Sequence, residues 1–405
     1  MAWDVRPTKD LEEFKAAVGA ISHYFGGGPD DDRAGRFAKV LPLERMHAAF
    51  DGDRVVGGAG AFPFQLTVPG GPIACAGVTV VGVLPTHRRR GVLTAMMRAQ
   101  LEDIRDRGEP IAALWASEEP IYRRFGYGMA SLAGEIELPG GYTGLRQPPD
   151  ESARSRLITL DEAKSIVPGI YDRVRAKTPG MFDRTEPWWK LRNLDDPLDR
   201  RQGGGEKNVL LLEFGGEPAG YALYRVFTKF EHGAAAGHVE VIEALADGAI
   251  ASRELWRVLL DMDWMATLKA SLLPIDHPLL HQLRYPRRLQ MRIGDGLWVR
   301  LVDVGAALSA RAYGNESPVV FEVEDAFLPE NTGRWQLAGG AAERTDEAAD
   351  LALDVGELGA AYLGGFTFAE LLRAGVVREL KEGGAARADA VFRTDAPKPW
   401  CPEIF

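Results

Sequence analysis

The stretch Val80-Val81-Gly82-Val83-Leu84-Pro85-Thr86-His87-Arg88-Arg89-Arg90-Gly91-Val92-Leu93 carries the reading of the fold. A β-branched apolar run is followed by three arginines and a glycine. Then Leu93-Thr94-Ala95-Met96-Met97-Arg98-Ala99-Gln100-Leu101 places its apolar residues at helical spacing. The order is strand, tight basic turn, helix. A helix N-terminus offers backbone N–H groups without intrahelical partners and a partial positive charge. Gly91 lets an anion approach the main chain closely, and the arginine forks supply charge-assisted donors. The turn is therefore a candidate pyrophosphate cradle. It contains neither Gly-Lys-Ser/Thr nor Gly-x-Gly-x-x-Gly, so it is neither a P-loop nor a dinucleotide fingerprint.

Working outward, 405 residues with 46% hydrophobic content are too many for one ordinary domain, and two or three are expected. Two cysteines, Cys75 and Cys401, exclude a disulfide framework and fit a reducing compartment. The start, Met1-Ala2-Trp3-Asp4-Val5-Arg6, lacks a basic cap with an apolar run, and no later run approaches a membrane span. A soluble, cytoplasmic protein without membrane partners is expected. The net charge of -10 argues against general nucleic-acid binding and favours a cationic small molecule or protein amine as partner.

Upstream of the basic turn, Asp10 to Ala20 has helical periodicity. The loop Gly26-Gly27-Gly28-Pro29-Asp30-Asp31-Asp32 leads to a second short helix around residues 33–40. Its acidic triplet reads as a helix cap or as a lip that attracts cations. Residues 46–50, 54–63 and 65–68 alternate around turn signals at Asp51-Gly52-Asp53 and Pro69-Gly70-Gly71, predicting antiparallel strands. Ile111 to Trp115 is a further buried strand. It runs into Ser117-Glu118-Glu119-Pro120-Ile121-Tyr122-Arg123-Arg124-Phe125-Gly126-Tyr127-Gly128, where Tyr127 stands between glycines that let the backbone approach a ligand. With an ordinary pKa of about 10, a phenol there is an acid at neutral pH. A packed aromatic in a glycine-rich turn is the other reading.

Downstream, a boundary is expected at residues 139–155, rich in Gly, Pro and charge. A strand and helix over 157–175, a short helix over 185–194, and a strand pair over 208–214 and 219–227 follow. A strand over 238–245 and an apolar helix over 253–268 then repeat the first region's order. Where the first copy has its arginines, this one has Ala246-Asp247-Gly248-Ala249-Ile250, which should not hold an anion. His277-Pro278-Leu279-Leu280-His281 spaces two histidines, but Pro278 interferes with a helix and no adjoining glutamate or carboxylate cluster completes a metal set, so no metal is expected. Residues 298–308, 319–323, 334–337, 350–358, 367–374 and 385–392 make a third unit. The apolar, proline-stiffened end Pro399-Trp400-Cys401-Pro402-Glu403-Ile404-Phe405 should pack.

The turn Arg88-Arg89-Arg90-Gly91-Val92-Leu93 resembles the acyl-coenzyme A loop of GCN5-related N-acetyltransferases, Arg/Gln-x-x-Gly-x-Gly/Ala, with Leu93 in the last small position. Together with Ile121-Tyr122-Arg123-Arg124-Phe125-Gly126-Tyr127-Gly128, it is similar to the Eis (enhanced intracellular survival) acetyltransferases of actinobacteria. That likeness continues at Tyr221 to Val226, Asp295 to Arg300, Tyr362 to Gly365 and the final residues. The resemblance implies α/β architecture with mixed sheets: two GCN5-related acetyltransferase folds in tandem, over 1–145 and 146–296, then a sterol-carrier-protein-like α+β domain over 297–405. It implies acetyl-coenzyme A as co-substrate, with Val81, Gly82 and Val83 pairing with pantetheine amides, Arg88, Arg89, Arg90, Gly91, Val92, Leu93 and Thr94 holding the pyrophosphate, and Tyr122 and Arg123 adding contacts. By the same likeness Tyr127 protonates the departing thiolate, the α-carboxylate of Phe405 takes the proton of the attacking amine, and the assembly is a homohexamer. The chain departs from aminoglycoside-acetylating Eis proteins in its His23-Tyr24-Phe25 segment and in Ile404, which stands where they have glutamate, with Glu403 one step back. Asp30 to Asp32 or Glu403 are the candidates to compensate. From another functional class, a ligand-binding protein using the sterol-carrier-like domain is the alternative.

Overall fold

The computed structural model describes residues 3–28 and 30–405. Met1 and Ala2, with which the N-terminal reading begins, and Pro29 of the acidic loop lie outside the described residues. The chain divides into two compact units: residues 1–131, 297–396 and 404–405 form the first, and 132–296 with 397–403 the second. Among the described residues no helix is long and apolar enough to cross a membrane.

In the first unit, strand β1 (Asp4–Pro7) is followed by helix α1 (Leu11–Ser22), which Asp10 caps by accepting the Glu13 N–H, and by helix α2 (Asp31–Phe37). Phe14, Ala17, Val18 and Ala20 recur on one face of α1 and are buried. Strands β2 (Met46–Asp51), β3 (Arg54–Val68) and β4 (Gly71–Val83) pair antiparallel in sequence order. The two strands expected over 54–68 are one, running straight through Pro63. The β2 pairing ends at Gly60, so Pro63 withholds its missing N–H only from an edge that carries no strand.

Helix α3 (Val92–Asp106) buries Val92, Met96, Met97, Leu101 and Ile104, the four-residue spacing that the sequence displays. Each such side chain contributes roughly 1.5–3 kcal/mol when fully buried. Strand β5 (Ile111–Trp115) joins β4 in parallel, and the two-residue strand β6 (Gly128–Met129) completes the chain-order set. Between β5 and β6 lies the strand Leu297–Leu301, antiparallel to both. The sequence boundary at 296 assigned that strand to the third unit. Its fully buried Leu-Trp-Val-Arg-Leu run instead closes the first sheet.

The sterol-carrier-like region of this unit carries a five-stranded sheet in the order Ala341–Arg344, Gly333–Ala338, Val319–Glu324, Leu351–Asp354, Val377–Glu379. Phe321, Phe368 and Phe392 pack ring to ring behind it, with centroids 4.9–5.8 Å apart. A groove of about 670 Å³ at this sheet has a mixed lining, with Glu322, Glu324, Asp354, Arg334 and Arg378 beside Val323, Leu353 and Val376.

The second unit is built on a seven-stranded sheet: Arg292–Asp295, Leu132–Pro139, Met265–Leu273, Gly237–Ala246, Glu217–Phe227, Asn208–Phe214, Ala153–Ile158. Leu132–Pro139 falls before the sequence boundary at 145 yet belongs here, because it pairs with Met265–Leu273 and Arg292–Asp295. The helix Leu160–Arg175 opens with a capping box between Thr159 and Glu162. The helix expected over 253–268 is a helix from Ala249 to Leu260 and a strand from Met265. Asp261 and Asp263 break the run, and parallel pairing of Met265 to Ala270 with Gly237 to Val241 overrides its apolar helical look. His277 is a core residue: its ring meets Trp256 edge-on at 5.0 Å and its Nδ1 accepts the Leu279 N–H at 3.2 Å.

Candidate active site

β4 and β5 pair only from Cys75 to Gly77 against Ile111 to Ala113, and beyond that register the strands part. A bulge sets the parting. Gly58 faces Gly82 while Gly60 faces Thr79, so one residue of β3 spans two of β4, and Val80 takes the left-handed conformation (φ 55°). Val81 and Val83 are half-buried on this freed segment. The outward carbonyl of Val83 accepts the Tyr24 hydroxyl at 2.8 Å. Gly82 has a packing reason to be glycine, since a Cβ there would lie 2.6 Å from Ile21 of α1.

The strand leads into the basic turn. His87 is buried and pairs through Nε2 with Asp51 at 3.1 Å, anchoring the turn's base. Arg88, Arg89 and Arg90 are exposed. The Arg88 guanidinium lies 5.8 Å from the Tyr24 ring centroid and that of Arg90 lies 5.3 Å from Trp3, whose indole N–H donates to the Arg90 carbonyl at 2.9 Å. Arg89 and Gly91 both have positive φ (59° and 83°), and Gly91 is the N-cap of α3, which no side chain caps. Gly91 and Thr94 are exposed, Leu93 is half-buried, and Val92 is buried as the first core residue of the helix. Arginine charge and helix N-terminus thus coincide on an accessible turn, an arrangement that attracts a polyanion.

Tyr127 lies in the core of the first unit and is fully buried. Its ring meets that of Tyr122 edge-on at 6.0 Å, and its hydroxyl has no hydrogen-bond partner among the described residues. Burial pushes its pKa well up, against which the nearby Arg300 guanidinium pulls it down. Tyr122 is likewise pushed up to about 12 by burial. At neutral pH both phenols keep their protons. Arg123 is exposed and forms an ion pair with Glu357 of the helix Val355–Tyr362.

Phe405 is buried, its ring 5.0 Å from that of Phe64 and 6.4 Å from that of Phe62. Gly77 permits this seat, since a Cβ there would sit 2.2 Å from the Phe64 ring and 3.3 Å from the Phe405 ring. Phe64 is the register partner of Cys75, the β4 residue whose thiol also influences the Tyr127 phenol. The Phe405 ring and the Tyr127 phenol therefore lie near neighbouring positions of β4, Gly77 and Cys75.

Of the residues named as substitutes for the missing acid, Asp30, Asp31 and Glu403 are engaged otherwise. Asp30 caps α2 by accepting the Arg33 N–H at 2.8 Å, and Asp31 pairs with Lys15. Glu403 lies in the second unit, where Oε2 accepts from Trp188 Nε1 (3.0 Å) and Asn193 Nδ2 (3.1 Å) and pairs with Arg184 Nη2 (3.0 Å), while Oε1 pairs with Arg192 Nε (3.2 Å). Burial pushes this carboxyl up, but Arg184 and Arg192 outweigh it and hold the pKa below its ordinary value. Such an ion cluster fastens the C-terminal segment.

Sequence reasoning missed Tyr24 and Arg300. The signal for Arg300 was present: an arginine inside Leu297-Trp298-Val299-Arg300-Leu301-Val302 is a charge in a run that otherwise reads as buried strand.

Acetyltransferase (GNAT) domain profiles match residues 4–130 and 180–301, and a sterol carrier protein domain profile matches 304–402. The chain is 41% identical to an uncharacterized N-acetyltransferase of Streptomyces avermitilis over the whole of both chains. It is 35% identical to the N-acetyltransferase Eis of Mycobacterium tuberculosis, covering 96% of each. The crystal structure of Eis1 from Mycobacterium abscessus superposes with a TM-score of 0.87 at 35% identity, over 99% of this chain and all of the other.

Proposed function

The chain belongs to the Eis family of GCN5-related N-acetyltransferases, and on that premise we propose that it transfers acetyl from acetyl-coenzyme A to the primary amine of a cationic acceptor, such as an aminoglycoside, a polyamine or a lysine side chain. It is an acyltransferase of two GNAT domains and a sterol-carrier-like domain. In this reading Arg88, Arg89, Arg90 and the N–H groups of Gly91 to Thr94 take the pyrophosphate. The freed edge at Val81 to Val83 takes the pantetheine, so Tyr24 releases the Val83 carbonyl as the coenzyme enters. The parting of β4 from β5 directly before an exposed arginine turn is the observation that carries the proposal.

The amine attacks the thioester carbonyl, a C–N bond forms and the C–S bond breaks. The amine proton passes to the Phe405 α-carboxylate. The Tyr127 hydroxyl proton passes to the coenzyme sulfur, and the phenolate recovers a proton from solvent. A terminal carboxylate with an ordinary pKa of about 3.3–3.7 is a weak base, so this role requires that it be desolvated or act through a relaying water. Burial of Tyr127 keeps the phenol protonated at neutral pH, and the nearby Arg300 guanidinium opposes the accompanying loss of acidity. The net charge of -10 favours a cationic acceptor.

Thiol release from acetyl-coenzyme A across a panel of aminoglycosides, polyamines and lysine peptides tests the activity. Tyr127→Phe, or removal of Phe405, should lower kcat by about 100-fold, a usual contribution of a positioned acid or base. Unchanged turnover in either folded variant would remove that residue from the mechanism. For the assembly we carry over a homohexamer, read by sizing chromatography.

A further inference from the structure

Arg300 is a fully buried guanidinium in the first unit, and the reaction as written above does not use it. It stands on the strand Leu297–Leu301, opposite Ala112 of β5. The preceding residue, Val299, is opposite Gly128 of β6, so the antiparallel register brings Arg300 beside Tyr127, the residue before Gly128. Its guanidinium fills the space over Gly126, where a Cβ would be 2.1 Å from Nη1. A side chain at 126 would evict it.

Only one edge of the fork is tied. Nη2 donates to Asp325 Oδ2 at 2.5 Å. Asp325 is itself fixed: Oδ1 accepts from the N–H groups of Phe327 (3.1 Å) and Leu328 (2.9 Å), and Oδ2 from Asn331 Nδ2 (2.9 Å). These donors hold the carboxylate in place. Nε and Nη1 of Arg300 have no partner among the described residues, and neither does the Tyr127 hydroxyl. Two groups of opposite demand, a buried cation with unspent donors and a buried phenol asked to become an anion, are thus neighbours. A purely structural buried arginine would satisfy its fork, because unmet charged donors in a protein interior are expensive.

We propose that Arg300 is a positioning residue for Tyr127, held by Asp325 so that its guanidinium carries the negative charge the phenol acquires when its proton goes to the coenzyme sulfur. The inference rests on the reading of Tyr127 as the acid. In the step concerned, the Tyr127 O–H bond breaks, an S–H bond forms on the departing thiolate, and the phenolate lies against the cation until solvent returns a proton. Preorganised charge of this kind acts only as the transition state develops, so it belongs to kcat and not to coenzyme affinity.

The test is a double-mutant cycle on the full chain, with acetyl-coenzyme A, the best acceptor from the panel, and coenzyme A alone for calorimetry. R300Q should lower kcat by about 30-fold, less than the roughly 100- to 1,000-fold for removing a donor aimed directly at the reacting group, and leave the Kd of coenzyme A within about twofold. R300K should recover a large part of the loss by restoring the charge. In the Y127F background the same R300Q change should alter kcat by less than about twofold, because the two residues act as a unit. Equal losses in both backgrounds, full activity of R300Q beside a slow Y127F, or failure of R300K to exceed R300Q would each overturn the proposal. Should R300Q not fold, R300K and R300K/Y127F supply the cycle, with a loss confined to the Tyr127 background expected. An undiminished Y127F would instead refute the acid assignment itself.

Discussion

The turn from β4 into α3 and the turn from the strand Gly237–Ala246 into the helix Ala249–Leu260 serve the same strand-to-helix passage with opposite charge and different backbone, Gly91 left-handed (ψ 1°) and Gly248 extended in ψ (158°). In both, a strand that leaves its parallel neighbour runs into a helix whose N-cap is a glycine of positive φ, Gly91 at 83° and Gly248 at 118°, with no capping side chain. Both helix ends therefore carry the uncapped N–H groups and the dipole. The first presents Arg88, Arg89 and Arg90 to solvent. The second presents Asp247, bound by Lys177 Nζ at 2.9 Å and Arg173 Nε at 3.2 Å, with its pKa lowered first by the Lys177 hydrogen bond. The backbone device alone does not define an anion site. The side chains of the turn decide whether a polyphosphate meets attraction or a carboxylate.

The strongest way to break this contrast is to remove its charge. Replacing Arg88, Arg89 and Arg90 with serine should weaken coenzyme A binding by about 100- to 1,000-fold in calorimetry, as charge-assisted hydrogen bonds of roughly 1.5–3 kcal/mol are lost. Asp247→Arg in the other turn should leave the stoichiometry at one coenzyme per chain. A second equivalent of heat would show that the basic residue alone suffices.

Acid separates the two units differently. Burial pushes the His277 imidazole of the second unit down to about 4, so it is neutral in the fold, whereas the unfolded chain takes up its proton near pH 6.5. Its contribution to stability is complete above about pH 6.5 and is lost as the pH falls toward 4, about 3 kcal/mol in all. Calorimetric unfolding of the second unit should shift down across that window, and His277→Gln should flatten the shift.

The smallest expected effect concerns the two glycines. A Cβ at either position meets nothing within 4 Å, so neither Gly91→Ala nor Gly248→Ala causes a steric clash; the backbone strain is about 1–2 kcal/mol at the left-handed Gly91 and up to about 3 kcal/mol at Gly248, whose φ of 118° and ψ of 158° only glycine readily adopts. Gly91→Ala should raise the KM for acetyl-coenzyme A roughly 10-fold by crowding the cradle. Gly248→Ala should lower the melting temperature and leave KM alone. Equal KM values in the two variants would mean that close approach at Gly91 is not used.

Much of this contrast was legible in the chain. The change from β-branched run to basic turn to four-residue apolar spacing over residues 80–101 required only local periodicity, and the emptied turn at 246–250 was visible by comparison with it. Other features were invisible because their causes are distant. Met265 to Leu268 looks helical until its partners on either side, Gly237–Ala246 and Leu132–Pro139, are known. Arg300 stands out as a charge in an apolar run, but its neighbours Ala112 and Tyr127 are fixed by a sheet register that no local pattern encodes. The bond from Tyr24 to Val83 joins a short turn to a strand edge freed by a bulge, and neither can be read from residue type.

The strand Leu297–Leu301 also dictates an order of events during synthesis. β5 gains its second partner only when residues almost two hundred positions later have left the ribosome, so the sheet of the first unit is a high-contact-order assembly that must wait. The sheet of the second unit, by contrast, is encoded in the single run from Leu132 to Asp295 and can close while the first is still incomplete. The sheet behind the emptied turn is thus the earlier to close, although its unit is complete only when Pro397 to Glu403 dock, and a fragment ending before Leu297 would leave β5 with an open, aggregation-prone edge.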